Sequence, residues 1–357
     1  MILYNLTLQP PTSITATIVG HFSGGKQQEL VVARHQWLEV WRPDTATGKI
    51  SIEHSEHMFC KIRSIAAFRL GGAGGAKDYV VLASDSGAMT MLEYEAGNQG
   101  GRRRFRQAQS HEFGRSGLRR LMAGQYVAAD PSGRALMVAG VERAKLVYIV
   151  TRDSSSGGPA IASPLEASRA HTVCFALAAV DVGYENPVFA AIEGVYGGRV
   201  GAKVLAYYEV DLGLNHVVRK WTADVSDSAN HLIALPGGAG GAGGGEGGAP
   251  SGVLVCSAGQ IEFRHAGCAA CAAAIPRRQR SAEDEDEDED QIPIIVASAV
   301  HRTKATTFVL AQSDAGDLFR VAVETDEAMA VRRVRIAYFD TLAAPAGSLA
   351  ILRAGFL

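Results

Sequence analysis

A strand-turn-strand unit recurs along this chain and restricts it more than any other feature. Val81-Leu82-Ala83-Ser84-Asp85-Ser86-Gly87 runs on into Met89-Thr90-Met91-Leu92, and Val309-Leu310-Ala311-Gln312-Ser313-Asp314-Ala315-Gly316 runs on into Leu318-Phe319-Arg320-Val321. Asp85 and Asp314 lie 229 residues apart, close to five repeats of about 45 residues, the period of four-stranded propeller blades. A chain of stacked blades more often holds partners than turns over substrate.

Strand signals fall into groups that match this period. The first holds Ile14 to Val19, Glu29 to Ala33, Trp37 to Trp41 and Lys49 to Glu53; the second holds Ile62 to Leu70, Asp78 to Ala83, Ala88 to Tyr94 and Arg104 to His111. Gln125 to Ala129, Ala135 to Val141 and Lys145 to Thr151 form a third, and Phe175 to Val182, Pro187 to Ile192, Val204 to Val210 and Val217 to Trp221 a fourth. The fifth takes Leu232 to Leu235, Val253 to Ser257 and Gln260 to Arg264; the sixth takes Ile294 to Ala299, Thr307 to Gln312, Leu318 to Glu324 and Val331 to Tyr338. A seventh starts at Ser348 to Leu352 and is incomplete at Leu357. The pattern predicts an all-β, seven-bladed β-propeller of four-stranded antiparallel blades, its last blade unfinished. Val80 to Ala83, Leu136 to Ala139, Val253 to Cys256 and Val309 to Ala311 are expected to be inward strands and the buried core.

With 47% hydrophobic residues in 357 the chain can bury a large core, and one propeller over residues 1–357 accounts for all of it. A formal net charge of −2 gives no global attraction to nucleic acid or an anionic membrane. Five scattered cysteines argue for a reducing compartment, cytosol or nucleus. No signal peptide and no membrane span are expected. Residues 236–250, almost all Gly and Ala, predict a flexible loop, and residues 266–291 a disordered Ala/Cys, basic and acidic loop ending in the eight acids of Glu283 to Asp290.

No catalytic constellation stands out: GxSxG and HExxH are absent, and Gly71 to Lys77 lacks the Ser or Thr after lysine that a phosphate loop needs. No enzyme, cofactor or catalytic residue is expected. Cys268 and Cys271 have the spacing of half a zinc site, with His265 the only near histidine, or of a redox pair, or are two ordinary loop thiols. Arg102, Arg103, Arg104 and Arg106 surround Phe105. Such a run either lies along RNA with the ring stacked on a base or forms a solvated strand edge bearing protective charges. Arg277, Arg278 and Arg280 read as a nuclear address, a partner clamp, or an internal counterpart of the acidic run.

Specific runs carry a resemblance. Tyr4 to Gln9, Asp78 to Val81 with Ser84 to Gly87, Phe113 to Gly117, Lys145 to Ile149, Asp181 to Pro187, Asp211 to Lys220 and Tyr338 to Thr341 resemble the N-terminal part of the splicing factor 3b subunit 3 family, called Rse1 in yeast. The wider superfamily includes the large subunits of the damaged-DNA-binding protein and of the cleavage and polyadenylation specificity factor. The resemblance implies the first propeller of a nuclear, non-enzymatic spliceosomal scaffold that supports branch-site recognition. It implies as partners the HEAT-repeat subunit 1 and the small subunit 5, with any RNA contact indirect. An adaptor in a cullin ubiquitin ligase, like the damaged-DNA-binding relative, is the alternative. The chain corresponds to about the first third of a family member.

Overall fold

The computed structural model describes residues 9–71, 77–97, 101–112, 125–140, 145–167, 172–180, 185–195, 199, 201–237, 250–277, 292–302, 307–326, 330–342 and 347–357. Strands are the only regular elements among them, and they form six antiparallel sheets in chain order. Blade 1 is β1 (Ala16–Gly20), β2 (Glu29–Arg34), β3 (Trp37–Asp44) and β4 (Lys49–His57); blade 2 is β5 (Ile62–Phe68), β6 (Tyr79–Ser84), β7 (Ala88–Glu95) and β8 (Arg104–Glu112). Blade 3 is β9 (Gln125–Ala129), β10 (Ala135–Gly140) and β11 (Lys145–Arg152), with β12 (Pro159–Ile161) and β13 (Leu165–Glu166) both paired to β11. Its outer strand is split where Pro164, which has no N–H to donate, interrupts the ladder. Blade 4 is β14 (Thr172–Val180), β15 (Val188–Val195), β16 (Lys203–Asp211) and β17 (His216–Val225). Blade 5 is β18 (His231–Leu235), β19 (Gly252–Ser257), β20 (Gln260–Arg264) and β21 (Cys271–Ala274); blade 6 is β22 (Ile295–Arg302), β23 (Thr307–Ser313), β24 (Asp317–Thr325) and β25 (Val331–Thr341). The first strand of each blade lies beside the first strand of the next.

The second strand of each blade is buried on both faces, which is why it reads as a continuous apolar run rather than an alternating one. In blade 2, Val80 and Leu82 pack against Val31 and Val40 of blade 1, while Val81 and Ala83 pack against Leu136 and Val138 of blade 3. The same division of odd and even residues repeats between blades 3 and 4, 4 and 5, and 5 and 6. The four runs expected to form the core are buried throughout. They are the second strands of their blades.

Asp85 and Asp314 play one role in two blades. Lys61 N donates to Asp85 Oδ1 at 3.1 Å and Asp85 N to Lys61 O at 3.0 Å. Ile294 N donates to Asp314 Oδ1 at 3.1 Å and Asp314 N to Ile294 O at 2.9 Å. Each turn thus clamps the chain entering its own blade. Gly87 and Gly316 close the two turns with φ of +84° and +89°, a region open to glycine without strain.

Among the described residues there are six blades, and the expected seventh is not formed there. Residues 347–357 contain no strand. Their apolar run supplies the right side chains, but a strand also needs a backbone ladder, and the segment's backbone–backbone bonds among the described residues are those of its own turn at Leu352 to Phe356. Side-chain contacts hold it instead: Leu352 is buried with Leu30 and Val32, Thr17 N donates to Ser348 Oγ at 3.1 Å, and Arg353 N donates to Gln28 Oε1 at 2.8 Å. A second difference lies at 266–291, where Cys271–Ala274 form β21 and Ile275 is buried, within a stretch expected to be loop. Residues 238–249 and 278–291 lie outside the described residues.

One inter-blade bond titrates. His231 Nε2 lies 2.8 Å from Ser298 Oγ, joining blades 5 and 6, and burial pulls the imidazole down to about 4. Its folded value lies below its unfolded one, so the unfolded chain takes up more protons between pH 6.5 and 4. Stability is therefore expected to be full above pH 6.5 and to fall across that window, by about 2 kcal/mol for a ring that keeps some solvent contact. Urea unfolding of His231→Gln should lose that part of the pH dependence; an unchanged profile would assign it elsewhere.

Candidate functional site

The basic run belongs to the outer strand of blade 2, and register decides what it can do. Arg104 pairs across the ladder with Glu95, Phe105 with Tyr94 and Arg106 with Glu93. Because side chains alternate, the arginines face outward and Phe105 turns inward. It is buried against Tyr94 and His54, ring centroids 5.3 and 5.9 Å away, and its N–H donates to Glu56 Oε2 of blade 1 at 2.8 Å. Base stacking on Phe105 is therefore ruled out. Arg104 Nε lies 2.7 Å from Glu95 Oε2, Arg106 pairs with both Glu93 and Glu95, and Arg103 Nη2 lies 3.2 Å from Glu53 Oε1 of blade 1. The Arg104 hydrogen bond holds the Glu95 carboxyl below the usual range. Burial alone would raise Glu93, but Lys77 and Arg106 bring it down. Tyr94, buried and facing Glu53, is pushed up to about 12. Arg102 makes no ion pair among the described residues.

Sequence reasoning saw the arginines and missed Glu53, Glu56, Glu93 and Glu95. Glu93 and Glu95 could have been found from an assumed hairpin register. Glu53 and Glu56 could not, because they come from another blade.

A second surface is formed where chain enters and leaves the blades. In a four-stranded antiparallel blade the start of the first strand, the end of the second and the end of the fourth share one end. Exposed Ile14, Phe59, Val195, Ile292, Ile294 and Leu342 all occupy such positions. Phe59 is the most exposed, at 89%, and is held at a φ of +56°; His35 beside it has +54°. Such backbone costs about 1 kcal/mol or more per non-glycine residue and persists only where its surroundings impose it. Here Met58 N donates to Gln36 O at 2.8 Å and Ile62 N to His35 O at 2.7 Å. Phe59 N donates to His57 Nδ1 at 3.2 Å, so the ring proton sits on Nε2 and is donated to Gln36 Oε1 at 3.1 Å. Trp37, His57 and Phe59 follow edge to face at 5.1 and 4.6 Å. The loop spends strain and several bonds to hold one aromatic ring in water.

Residues 13–357 match the family model described as "RSE1/DDB1/CPSF1 first beta-propeller". The chain belongs to this family. Within it, the chain is 45% identical over its whole length to the pre-mRNA-splicing factor RSE1 of Mycosarcoma maydis, 44% to splicing factor 3B subunit 3 of Danio rerio and 43% to spliceosome-associated protein 130 A of Arabidopsis thaliana. It spans 28 to 29% of the length of these relatives.

Of the remaining candidates in this RSE1-type propeller, some lie outside the described residues. Cys268 is exposed at a turn, the Cys271 thiol lies 3.6 Å from Arg332 O, and His265 packs beside Tyr207. No group of three or more His, Cys, Asp or Glu able to hold a metal ion occurs among the described residues. Arg277 is exposed after blade 5, while Arg278 and Arg280 lie outside the described residues. Sequence reasoning overlooked a buried charged cluster between blades 3 and 4. Glu193 takes Lys145 Nζ at 3.0 Å, the Tyr208 hydroxyl at 2.6 Å and Arg219 Nη2 at 3.1 Å. Burial, and then the charge of Glu193, raises the Tyr208 phenol, and burial pushes the neighbouring Cys174 thiol up to about 12.

Proposed function

We propose that this chain is the first propeller of a non-enzymatic scaffold that acts in pre-mRNA splicing in the nucleus. Its end bearing Phe59 is the docking surface for splicing factor 3b subunit 1, with its HEAT repeats, and for subunit 5. The observation that carries the reading is similarity over the whole chain to proteins named as splicing factors and spliceosome-associated proteins. The Phe59 loop supports it, because an exposed aromatic held rigid loses little entropy on binding.

The test is affinity purification of the protein, expressed from its own gene, from nuclear extract at low salt. Splicing factor 3b subunits are expected with the wild type, and Phe59→Ser should reduce their recovery about tenfold with no change in melting temperature. Recovery of a cullin without spliceosomal proteins would overturn the splicing reading. Full recovery by Phe59→Ser would move the docking surface away from this loop.

A further inference from the structure

At the opposite end of blades 1 and 2, two adjoining voids of about 550 and 590 Å³ open between the loop after β1 and the loop before β8. They share Ser23, Ala96 and Gly97 and so form one groove. Lys77, Arg102 and Arg104 line one part with Glu95, and Arg42 and Arg103 line the other with Glu53. Five cations thus face two carboxylates. Glu93 and Glu29 behind the wall each take a bond from Lys77 and Arg42, at 2.9 and 2.6 Å, and the groove keeps a positive surplus. Gly24, Gly25, Gly97 and Gly101 complete the walls, so that backbone is exposed to whatever enters. Gly97 has a φ of +69°, and a Cβ there would clash with Gly101 O.

We infer that this groove binds the phosphodiester backbone of single-stranded RNA without reading its sequence. Arginine forks and backbone amides suit phosphate oxygens, and a groove that follows a strand meets one charge at every nucleotide. An extended acidic peptide fits less well, because it turns alternate carboxylates to opposite sides. With Phe105 buried, no aromatic among the described lining residues is available to stack on a base. The contact is electrostatic, weak and salt-dependent.

This inference rests on the splicing reading, but its test reads the groove alone. Fluorescence polarisation of the chain with a labelled oligouridylate is measured at graded salt, with an oligocytidylate and polyglutamate as competitors. Affinity should fall with a logarithmic slope of about −0.7 per phosphate engaged, and both RNAs should compete equally. Arg102→Glu, which breaks no ion pair among the described residues, should weaken binding several-fold with an unchanged melting temperature, and R102E/R104Q, which also gives up the Glu95 pair, about tenfold or more, both with a flatter salt slope. Absence of RNA binding by the wild type, equal binding by both variants, or stronger competition by polyglutamate than by RNA would each overturn it. None of these outcomes depends on recovery of splicing subunits through the Phe59 surface.

Discussion

Glu193→Ala is expected to destabilise the fold by about 3 to 5 kcal/mol, the range for removing one partner of a buried ion pair. Glu193 is fully buried and Lys145 is 1% exposed, so water cannot replace the lost carboxylate. Lys145 would retain the Thr172 hydroxyl at 3.3 Å but no opposite charge at the Glu193 position, and the Tyr208 hydroxyl would lose its acceptor. Arg219, partly exposed, can turn to solvent. Glu193→Gln, which keeps the shape and an acceptor, should fall between Ala and wild type. Replacing both ends, as Glu193→Leu with Lys145→Met, should recover much of the loss, since an apolar pair of similar volume leaves no stranded charge. Equilibrium urea unfolding measures all four proteins. A loss below about 1 kcal/mol for Glu193→Ala would show that the cluster is not needed to hold blades 3 and 4 together.

Val81→Asp carries the second large effect, about 4 kcal/mol or more. Val81 is fully buried at the junction of blades 2 and 3, in a cluster with Phe68, Met91, Leu136 and Tyr148. Of the buried residues of that cluster only Tyr148 carries a polar group, and its hydroxyl has no hydrogen-bond partner among the described residues. The same substitution at Leu214, exposed on the β16 to β17 turn, should leave the melting temperature within a degree or so of wild type. Thermal unfolding of the two variants separates burial from the mere addition of charge. A melting temperature unchanged by Val81→Asp would remove this residue from the core.

The strands buried on both faces were legible because such a strand must be apolar at every position, as at Val80 to Ala83 and Val253 to Cys256. Outer strands have one wet face and little to mark them. β12, β13 and the alanine-rich β21 escaped notice for that reason, and their existence depends on the edge that β11 or β20 offers them. The Arg102 to Arg106 run was visible as charge. Its pairing with Glu93 and Glu95 follows from the hairpin register, but its pairing with Glu53 does not: that acid is some fifty residues away in sequence and reaches Arg103 only when blades 1 and 2 stack. Phe59 was invisible for a related reason: in sequence it is one aromatic near a strand end, and only the turn geometry holds it in solvent.

By itself, then, the sequence determined the class of fold, the repeat, the buried second strands and the family, because periodicity, turn chemistry and local motifs are written within a few residues. Tertiary structure alone decided the number of blades, the partners that charged groups find in other blades, and the two surfaces. Whether residues 347–357 become a strand depends on a ladder partner, and whether an arginine is free depends on acids brought from other blades. Both are set by contacts between segments far apart in the chain, and local sequence does not encode them.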